Sequence, residues 1–328
     1  MAEWLYEQGI GENRAILVEG GEIVEAGIEL PSATRAGSVL RARLTRLLIP
    51  GRRALATLHS GEEALVEPLS AGVTEGAEFN AEILREAIPE AGRPKLARAR
   101  ATDAEPRQGP ALADRIGAHR ISRSVGPDRF EEVGWSELLD EARRGEIAFT
   151  GGALRMSLTP AMTLFDVDGG LAPAELARAG AAAAARAIRR FGIGGSIGID
   201  LPTLPDRDER RAAAAAFDAV LPQPFERTAV NGFGFLHLVR RRERPSIPEM
   251  VQGDPVAAAA RALLRRAQRL AGAVTLHAAP PVIEYLRAHP DWLGELRLGV
   301  GGEVALQGEA GLAISAFHVQ QASRRNEG

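Results

Sequence analysis

Residues 163–170 have the sequence TLFDVDGG, a short apolar strand pattern that carries two carboxylates and ends in two glycines. Pro173 opens the alanine-rich segment that follows, and Gly192 marks its end after about Arg190. A second apolar stretch, SIGID at 196–200, also ends in an acidic residue. This order predicts a strand, a helix and a second strand, a crossover that is almost always parallel and right-handed within one sheet.

The aspartates of these strands predict a metal site. Asp166 and Asp200 would lie near the carboxyl ends of neighbouring strands, where open α/β sheets place ligands, and Asp168 would point to the same side as Asp166. Carboxylates on strands about 4.8 Å apart repel unless a proton or a divalent cation lies between them. Oxygen ligands favour Mg2+ or Mn2+ over Zn2+, which indicates metal-assisted phosphodiester hydrolysis.

The same residues also fit a purely structural interpretation. Aspartate is common at strand ends and before proline turns, so Asp166 and Asp168 can simply end a strand while Asp200 starts a turn. The glycines of 192–198 precede a strand and not a helix, which excludes a dinucleotide-binding fingerprint and favours a turn. The basic run that contains Arg240 and Arg242 fits a solvated strand end, or a phosphate contact beside a metal site.

Composition excludes several classes of function. The chain has 328 residues and a formal charge of −3, which provides no global basic field for nucleic acid. It has no cysteine, so disulfides, thiolate catalysis and cysteine-held zinc are excluded. Glu3 and Glu7 stand where a signal peptide would have its basic region, and no apolar stretch is long enough for a membrane span. We therefore expect a cytoplasmic protein.

The rest of the chain predicts three further regions. Two apolar runs within 14–30 flank the tight turn at 19–22 and predict a β-hairpin. Short β-like pieces across 37–101 predict a small antiparallel barrel of the OB type. Segments beyond residue 117 predict, in order, a strand at 119–125, helices at 135–144 and 207–220, a strand at 228–239, a helix at 255–271, a strand and a helix at 273–289, and a β pair within 294–308. The six histidines show no ligand spacing, and His277 is interpreted as a satisfied core residue.

The order of these segments resembles the catalytic half of the bacterial ribonuclease E/G family of endoribonucleases, nearly from end to end. The motifs that carry the resemblance are RAILVEGGEIVEAGIE at 14–29, TPAMTLFDVDGG at 159–170, GGSIGIDLPTL at 194–204, NGFGFLHLVRRRERPSI at 231–247 and VTLHAAPPVIEYL at 274–286. The resemblance implies an α+β multidomain fold with an OB-fold barrel of the ribosomal-protein S-one type inserted in a ribonuclease H-like region.

The units implied by the resemblance are an N-terminal β region that joins the ribonuclease H-like part at 1–36, the OB-fold module at 37–101, a linker at 102–117, the ribonuclease H-like remainder at 118–158, a DNase I-like α/β catalytic subdomain at 159–250, a small C-terminal α/β domain at 251–321 and a tail at 322–328.

The resemblance also implies an activity and a site. Enzymes of this family cut single-stranded RNA with a metal-activated water and leave a five-prime phosphate on the downstream product. By correspondence Asp166 and Asp200 would hold the catalytic Mg2+, with Mn2+ as the other candidate ion, and Asp168 would stand where the family has asparagine. Arg240 or Arg242 would lie near the phosphate. RNA contacts would also involve two positions where family members have base-stacking aromatics, here occupied by Leu55 and Leu65, and loss of the stacking implies weaker RNA affinity.

The sequence departs from the family in informative places. The paired cysteines that link two protomers through zinc have no counterpart, so no zinc and no zinc-linked dimer are expected, while the C-terminal domain could still pair protomers. The segment between barrel and 163–170 is too short for the family's five-prime-monophosphate sensor. Pro160 replaces an acid, and Gly232 and His237 replace an arginine and a glutamate. Two alternatives follow, a catalytically weakened or inactive RNA-binding protein of the same fold, and a metal-dependent phosphodiesterase or DNase.

Overall fold

The computed structural model describes residues 2–31, 34–69, 72–90, 92, 94–116, 119–120 and 128–321. It begins with three antiparallel strands, β1 (Glu3–Gln8), β2 (Asn13–Glu19) and β3 (Glu22–Glu29). Gly20 and Gly21 both have positive φ values, 62° and 86°, which the tight β2–β3 turn requires and which other residues rarely adopt. The predicted hairpin is therefore confirmed.

A closed five-stranded barrel follows, as predicted for residues 37–101. Its strands are β4 (Val39–Ile49), β5 (Arg53–Leu58), β6 (Glu63–Val66), β7 (Glu78–Arg85) and β8 (Ala97–Thr102). The order around the barrel is β4-β5-β6-β8-β7, with β6 and β8 parallel and the other pairs antiparallel, which is compatible with an OB-like barrel. Alternate residues such as Ala54, Ala56 and Val66 are buried inside, so the residues between them face outward.

The chain then returns to the N-terminal sheet. Helix α1 (Leu112–Ile116) covers β2 and β3, and β9 (His119–Arg120) pairs in parallel with β1. The remainder of the strand predicted at 119–125 lies outside the described residues. Helix α2 (Trp135–Arg144) matches its predicted limits and buries Trp135, Leu138 and Ala142.

A six-stranded sheet forms the centre of the structure. Its elements are, along the chain, β10 (Glu146–Phe149), β11 (Gly152–Leu158), β12 (Thr163–Gly169), α3 (Pro173–Arg190), β13 (Gly195–Asp200), α4 (Arg207–Asp218), β14 (Glu226–Arg227), β15 (Phe235–Arg240) and α5 (Ile247–Gly253). The strand order is β10-β11-β12-β13-β15-β14. The predicted crossover is confirmed, because β12 and β13 are parallel neighbours joined by α3. The boundary between the implied units 118–158 and 159–250 falls between β11 and β12. These two strands pair along their whole length, so they belong to the same sheet.

Helix α3 fixes one face of this sheet. Most of its alanines and Gly180 are buried, and the helix contacts both the sheet and strand β3 of the N-terminal sheet. A Cβ atom on Gly180 would lie 2.4 Å from Cγ1 of Val167 in β12. The absent side chain therefore allows α3 to approach the strand that carries Asp166.

We expect Gly180→Ala to destabilise the fold by up to about 2 kcal/mol. Alanine gains about 1 kcal/mol of helix propensity, but overpacking against Val167 costs about 1–3 kcal/mol. Urea unfolding measures the difference. The matched control is Gly294→Ala, another helical glycine, where nothing lies within 4 Å of the added Cβ and a gain of up to about 1 kcal/mol is expected. Equal effects at the two positions would contradict the close approach at Gly180.

The C-terminal unit packs three helices, which contact one another, on a three-stranded sheet. It comprises α6 (Pro255–Ala267), β16 (Val274–Ala278), α7 (Pro280–Arg287), α8 (Pro290–Val300), β17 (Val304–Gly308) and β18 (Phe317–Gln321), with strand order β17-β16-β18. The β pair predicted within 294–308 is wrong in its first half, because 294–300 belong to α8. Leu293, Leu296 and Val300 are buried at helical spacing after Pro290, and this periodicity overrides the apparent alternation of LRLGV.

A buried ionic network joins the N-terminal sheet to α6. The carboxylate of Glu12 accepts hydrogen bonds from Arg261, at 3.0 Å, and from Arg265. Arg14 donates to Glu7 at 2.7 Å and pairs with Asp128 at 2.9 Å. Burial alone would raise the pKa of Asp128, but Arg14 and Arg269 outweigh it and hold that pKa below its usual value.

Among the described residues, no helix is both long enough and apolar enough to cross a membrane.

Candidate active site

Asp166 and Asp200 are brought together as the sequence predicts. Asp166 in β12 is the direct partner of Asp200 in the parallel register with β13, and both side chains are exposed. Neighbouring strands lie about 4.8 Å apart, so the two carboxylates start from adjacent points on one face of the sheet.

The alternation of each strand explains why the acids face solvent. Phe165 and Val167 are buried on the α3 side of β12, and Ile197 and Ile199 are buried in β13. Residues between them point to the opposite face, which neither α3 nor α4 covers. The pattern that forms the core therefore also presents Asp166 to the solvent.

The structure places Asp168 on the same face but turns it toward an arginine. Nε of Arg155 lies 3.7 Å from Oδ2 of Asp168, and Arg155 stands directly opposite Asp166 in the β11–β12 register. Asp166, Asp168 and Asp200 do not form a three-residue cluster of the kind that occurs elsewhere among the described residues, where ligand-type atoms all lie within 4.8 Å of one another. Asp168 is thus placed to orient Arg155 and not as a third ligand beside the other two acids.

The donor set of Asp166 and Asp200 fits a magnesium ion. Neither carboxylate forms an ion pair or a side-chain hydrogen bond with any residue that the structure describes. Mg2+ is commonly bound through one or two carboxylates, with waters and substrate phosphate oxygens in its other positions. Two adjacent exposed carboxylates without a cationic partner provide that arrangement.

Arg155 is a residue of the candidate site that the sequence did not predict. It belongs to the hairpin of β11 and β12, where it is the cross-strand partner of Asp166, and its exposed guanidinium lies 3.7 Å from the carboxylate of Asp168. An arginine in a short strand carries no signal of its own. The register of the hairpin is what identifies its neighbours.

Arg240 and Arg242 lie at the other end of the sheet. Arg240 is paired with Gly195, the first residue of β13, whereas Asp200 is the last, so the separation along the strand is roughly 16 Å at about 3.3 Å per residue. Arg240 donates to the carbonyl of Ile193, and burial lowers its pKa. Arg242 pairs with the carboxylate of Glu249. The structure does not bring either arginine to the aspartates.

A tight loop borders Asp200. Residues 228–234, predicted as part of a strand, form a turn in which the Asn231 side chain accepts hydrogen bonds from the backbone N–H groups of Phe233 and Phe235. The N–H of Leu201 donates to the carbonyl of Gly234 at 3.2 Å, which joins this loop to the residue after Asp200. The ring of Phe233 is 82% exposed. The loop that borders Asp200 therefore carries an uncovered aromatic ring.

The positions that depart from the family pattern have other partners. His237 lies opposite Gly198, and its Nε2 is 2.7 Å from Oγ of Ser196. The carbonyl of Pro160 accepts a hydrogen bond from Nζ of Lys95, in the segment between β7 and β8 of the barrel. The barrel therefore contacts the loop that leads into β12.

Leu55 and Leu65 lie side by side on the outer face of the barrel. They are direct partners across β5 and β6 and are partly exposed. The row continues to Arg46 in β4 and Arg98 in β8, both exposed and both without a side-chain hydrogen bond to the described part of the chain. Strands 2 and 3 of OB folds are the usual oligonucleotide-binding face.

Comparison with models of protein families finds none that matches this chain, and no curated protein gives a significant match.

Proposed function

We propose that this protein is a magnesium-dependent endoribonuclease that cleaves single-stranded RNA in the cytoplasm. The observation that carries the proposal is the direct pairing of Asp166 with Asp200 on an exposed sheet face, without a cationic partner among the described residues. The resemblance to the ribonuclease E/G family supports it, because these are the two positions that would hold the catalytic ion there.

In this proposal Asp166 and Asp200 hold the ion and fix its position relative to the sheet. The bound ion would polarise the phosphate oxygens and lower the pKa of a coordinated water, which supplies the nucleophile. Arg155 would contact a non-bridging phosphate oxygen, and Asp168, at 3.7 Å, would orient its guanidinium. Phe233 would stack on a base next to the cleaved bond.

The barrel would bind a part of the RNA strand that lies at a distance from the reacting phosphate. The row Arg46, Leu55, Leu65 and Arg98 offers an apolar centre for bases between two guanidinium groups for phosphates. RNA binding by this row would not require Asp166 or Asp200. It therefore also favours the second candidate function, an RNA-binding protein without turnover.

Cleavage of a fluorescein-labelled, AU-rich single-stranded RNA distinguishes these functions. Internal cleavage with Mg2+, none with EDTA and none of single-stranded DNA of the same sequence is the expected result. Intact but bound RNA at enzyme excess, with Mn2+ giving no product, would favour the RNA-binding function. Equal cleavage of DNA would indicate a phosphodiesterase or DNase.

We expect Arg46→Ala with Arg98→Ala to weaken RNA binding and to reduce its salt dependence. Two lost phosphate contacts lower the slope of log K against log salt by about 1.4 on a single strand. Fluorescence anisotropy at several salt concentrations measures this slope. The charge-matched control is Arg178→Ala with Arg207→Ala, two exposed arginines on helices α3 and α4. An equal loss in both double variants would assign the effect to net charge alone.

Single substitutions in the same titration test the stacking positions. Leu55→Phe adds a ring to the barrel face, and Phe233→Ala removes one from the loop that borders Asp200. One base stack contributes about 1–3 kcal/mol, so we expect tighter binding in the first variant and weaker binding in the second, by roughly tenfold. No change in either variant would place the RNA on another surface.

A further inference from the structure

We propose that His277, Glu309 and His318 form a binding site for a divalent transition metal ion of the zinc class. Two of the side chains come from neighbouring strands of the C-terminal sheet, and the third comes from the residue that follows its remaining strand. His277 lies in the central strand β16, directly opposite His318 in β18, and Glu309 immediately follows β17 on the other side. The backbone N–H of Glu309 donates to the carbonyl of Ala278 at 2.9 Å, which holds this residue against β16.

The ligand atoms are already close. Nδ1 of His277 lies 2.6 Å from Oε1 of Glu309, and Nε2 of His318 lies 3.9 Å from the same oxygen. All three ligand-type atoms fall within 4.8 Å of one another. Tetrahedral zinc with bonds of about 2.0–2.1 Å needs ligand atoms roughly 3.3 Å apart. The observed distances lie on either side of that value.

One side chain must turn to complete the site. The two imidazole rings stack with centroids 4.3 Å apart and an interplanar angle of 11°, so their nitrogen lone pairs do not yet converge. The side chain of His318 is 54% exposed on an edge strand, and rotation about its χ angles meets little resistance. Glu309 is 37% exposed, so a fourth ligand position would face solvent.

His277 is not the satisfied core residue that the sequence predicts. Its Nε2 is buried and has no hydrogen-bond partner in the described part of the chain. Nδ1, which is 2.6 Å from Glu309, is the nitrogen that would bind the ion, so one ring nitrogen of this imidazole has a partner and the other has none.

The donor set selects the class of ion. Two imidazole nitrogens and one carboxylate oxygen suit Zn2+ and its neighbours Co2+ and Ni2+, whereas Mg2+ prefers oxygen ligands alone. The expectation of no zinc rests on the absence of cysteine and does not extend to these ligands. A bound ion would connect β17, β16 and the edge strand β18, and so would stabilise the C-terminal unit.

Calorimetric titration with Zn2+ tests the site. The full chain without a polyhistidine tag is treated with chelator, dialysed and titrated in excess Mg2+, which occupies oxygen sites such as Asp166 and Asp200. We expect one Zn2+ per chain and a higher melting temperature with Zn2+. Co2+ used as the probe in parallel should give the visible absorption of a tetrahedral ion.

His318→Ala and Glu309→Gln should each weaken Zn2+ binding by on the order of 100-fold, since even indirect supports of a metal site contribute 10–100-fold. The control His59→Ala removes an exposed histidine of the barrel and should bind like the wild type. Both site residues are partly or largely exposed, so the variants are expected to fold, and circular dichroism verifies this. Absence of Zn2+ binding, or equal affinity in His318→Ala and the wild type, would overturn the proposal. The readout is metal binding, so the result is independent of RNA cleavage.

Discussion

Asp166→Asn or Asp200→Asn is expected to lower RNA cleavage by on the order of 1000-fold, about 4 kcal/mol of transition-state stabilisation, with nearly unchanged RNA affinity. Asparagine keeps the shape of aspartate but removes the charge that holds the ion between the strands. Both acids are exposed and lie outside the core, so the substitutions leave the packing of β12 and β13 intact. Single-turnover cleavage of labelled RNA, with anisotropy for binding, separates the two effects.

Asp208→Asn is the matched control for these variants. Asp208 is an exposed aspartate in the first turn of α4, and within the described part of the chain its carboxylate pairs with Arg211 on the same helix. It should cleave like the wild type. Substantial cleavage by both Asp166→Asn and Asp200→Asn would move the chemistry away from this face of the sheet.

Glu12→Gln is expected to destabilise the protein by about 3–5 kcal/mol. Glu12 is only 2% exposed and is the shared partner of Arg261 and Arg265 on α6. The neutral amide would leave two buried guanidinium groups without a counter-charge. Urea unfolding followed by circular dichroism measures the loss in the free energy of unfolding. The loss would arise at the contact between the N-terminal sheet and the C-terminal unit, which Glu12 joins.

Glu19→Gln provides the comparison for this substitution. Glu19 ends strand β2 at the exposed hairpin turn, and a change within about 0.5 kcal/mol is expected there. A triple replacement of Glu12, Arg261 and Arg265 by methionine removes every charge of the group and should recover part of the stability. A loss below about 1 kcal/mol in Glu12→Gln would show that the network contributes little to this contact.

Local patterns were sufficient for most individual elements. Pro173 and Gly192 bracket α3, and Gly20 with Gly21 specify the first hairpin, because these residues restrict or release φ at single positions. The prediction of a strand over 294–300 was wrong because a seven-residue stretch fits both the helical period of about 3.6 residues and the strand period of about 2 residues. Burial of Leu296 and Val300 against the C-terminal core decided for a helix.

The pairing of strands that are distant in sequence could be predicted only where a single crossover connects them. Asp166 and Asp200 could be placed together because a strand, a helix and a second strand have one favoured arrangement. The position of Arg240 could not, since β15 runs antiparallel to β13 and so places its arginine beside Gly195 at the far end. Whether two strands pair parallel or antiparallel depends on the arrangement of the whole sheet and is not specified by the residues of either strand.

The sequence by itself determined the two acidic strand ends, the barrel segment and the absence of thiolate chemistry, since each depends on residue type or on spacing within one element. Only the tertiary structure decided that Arg155 stands beside Asp166, that Leu55 and Leu65 form one row with two arginines, and that His277 meets His318 and Glu309. These neighbours are far apart along the chain or depend on strand register. A shift of one residue would turn every side chain of a strand to the opposite face.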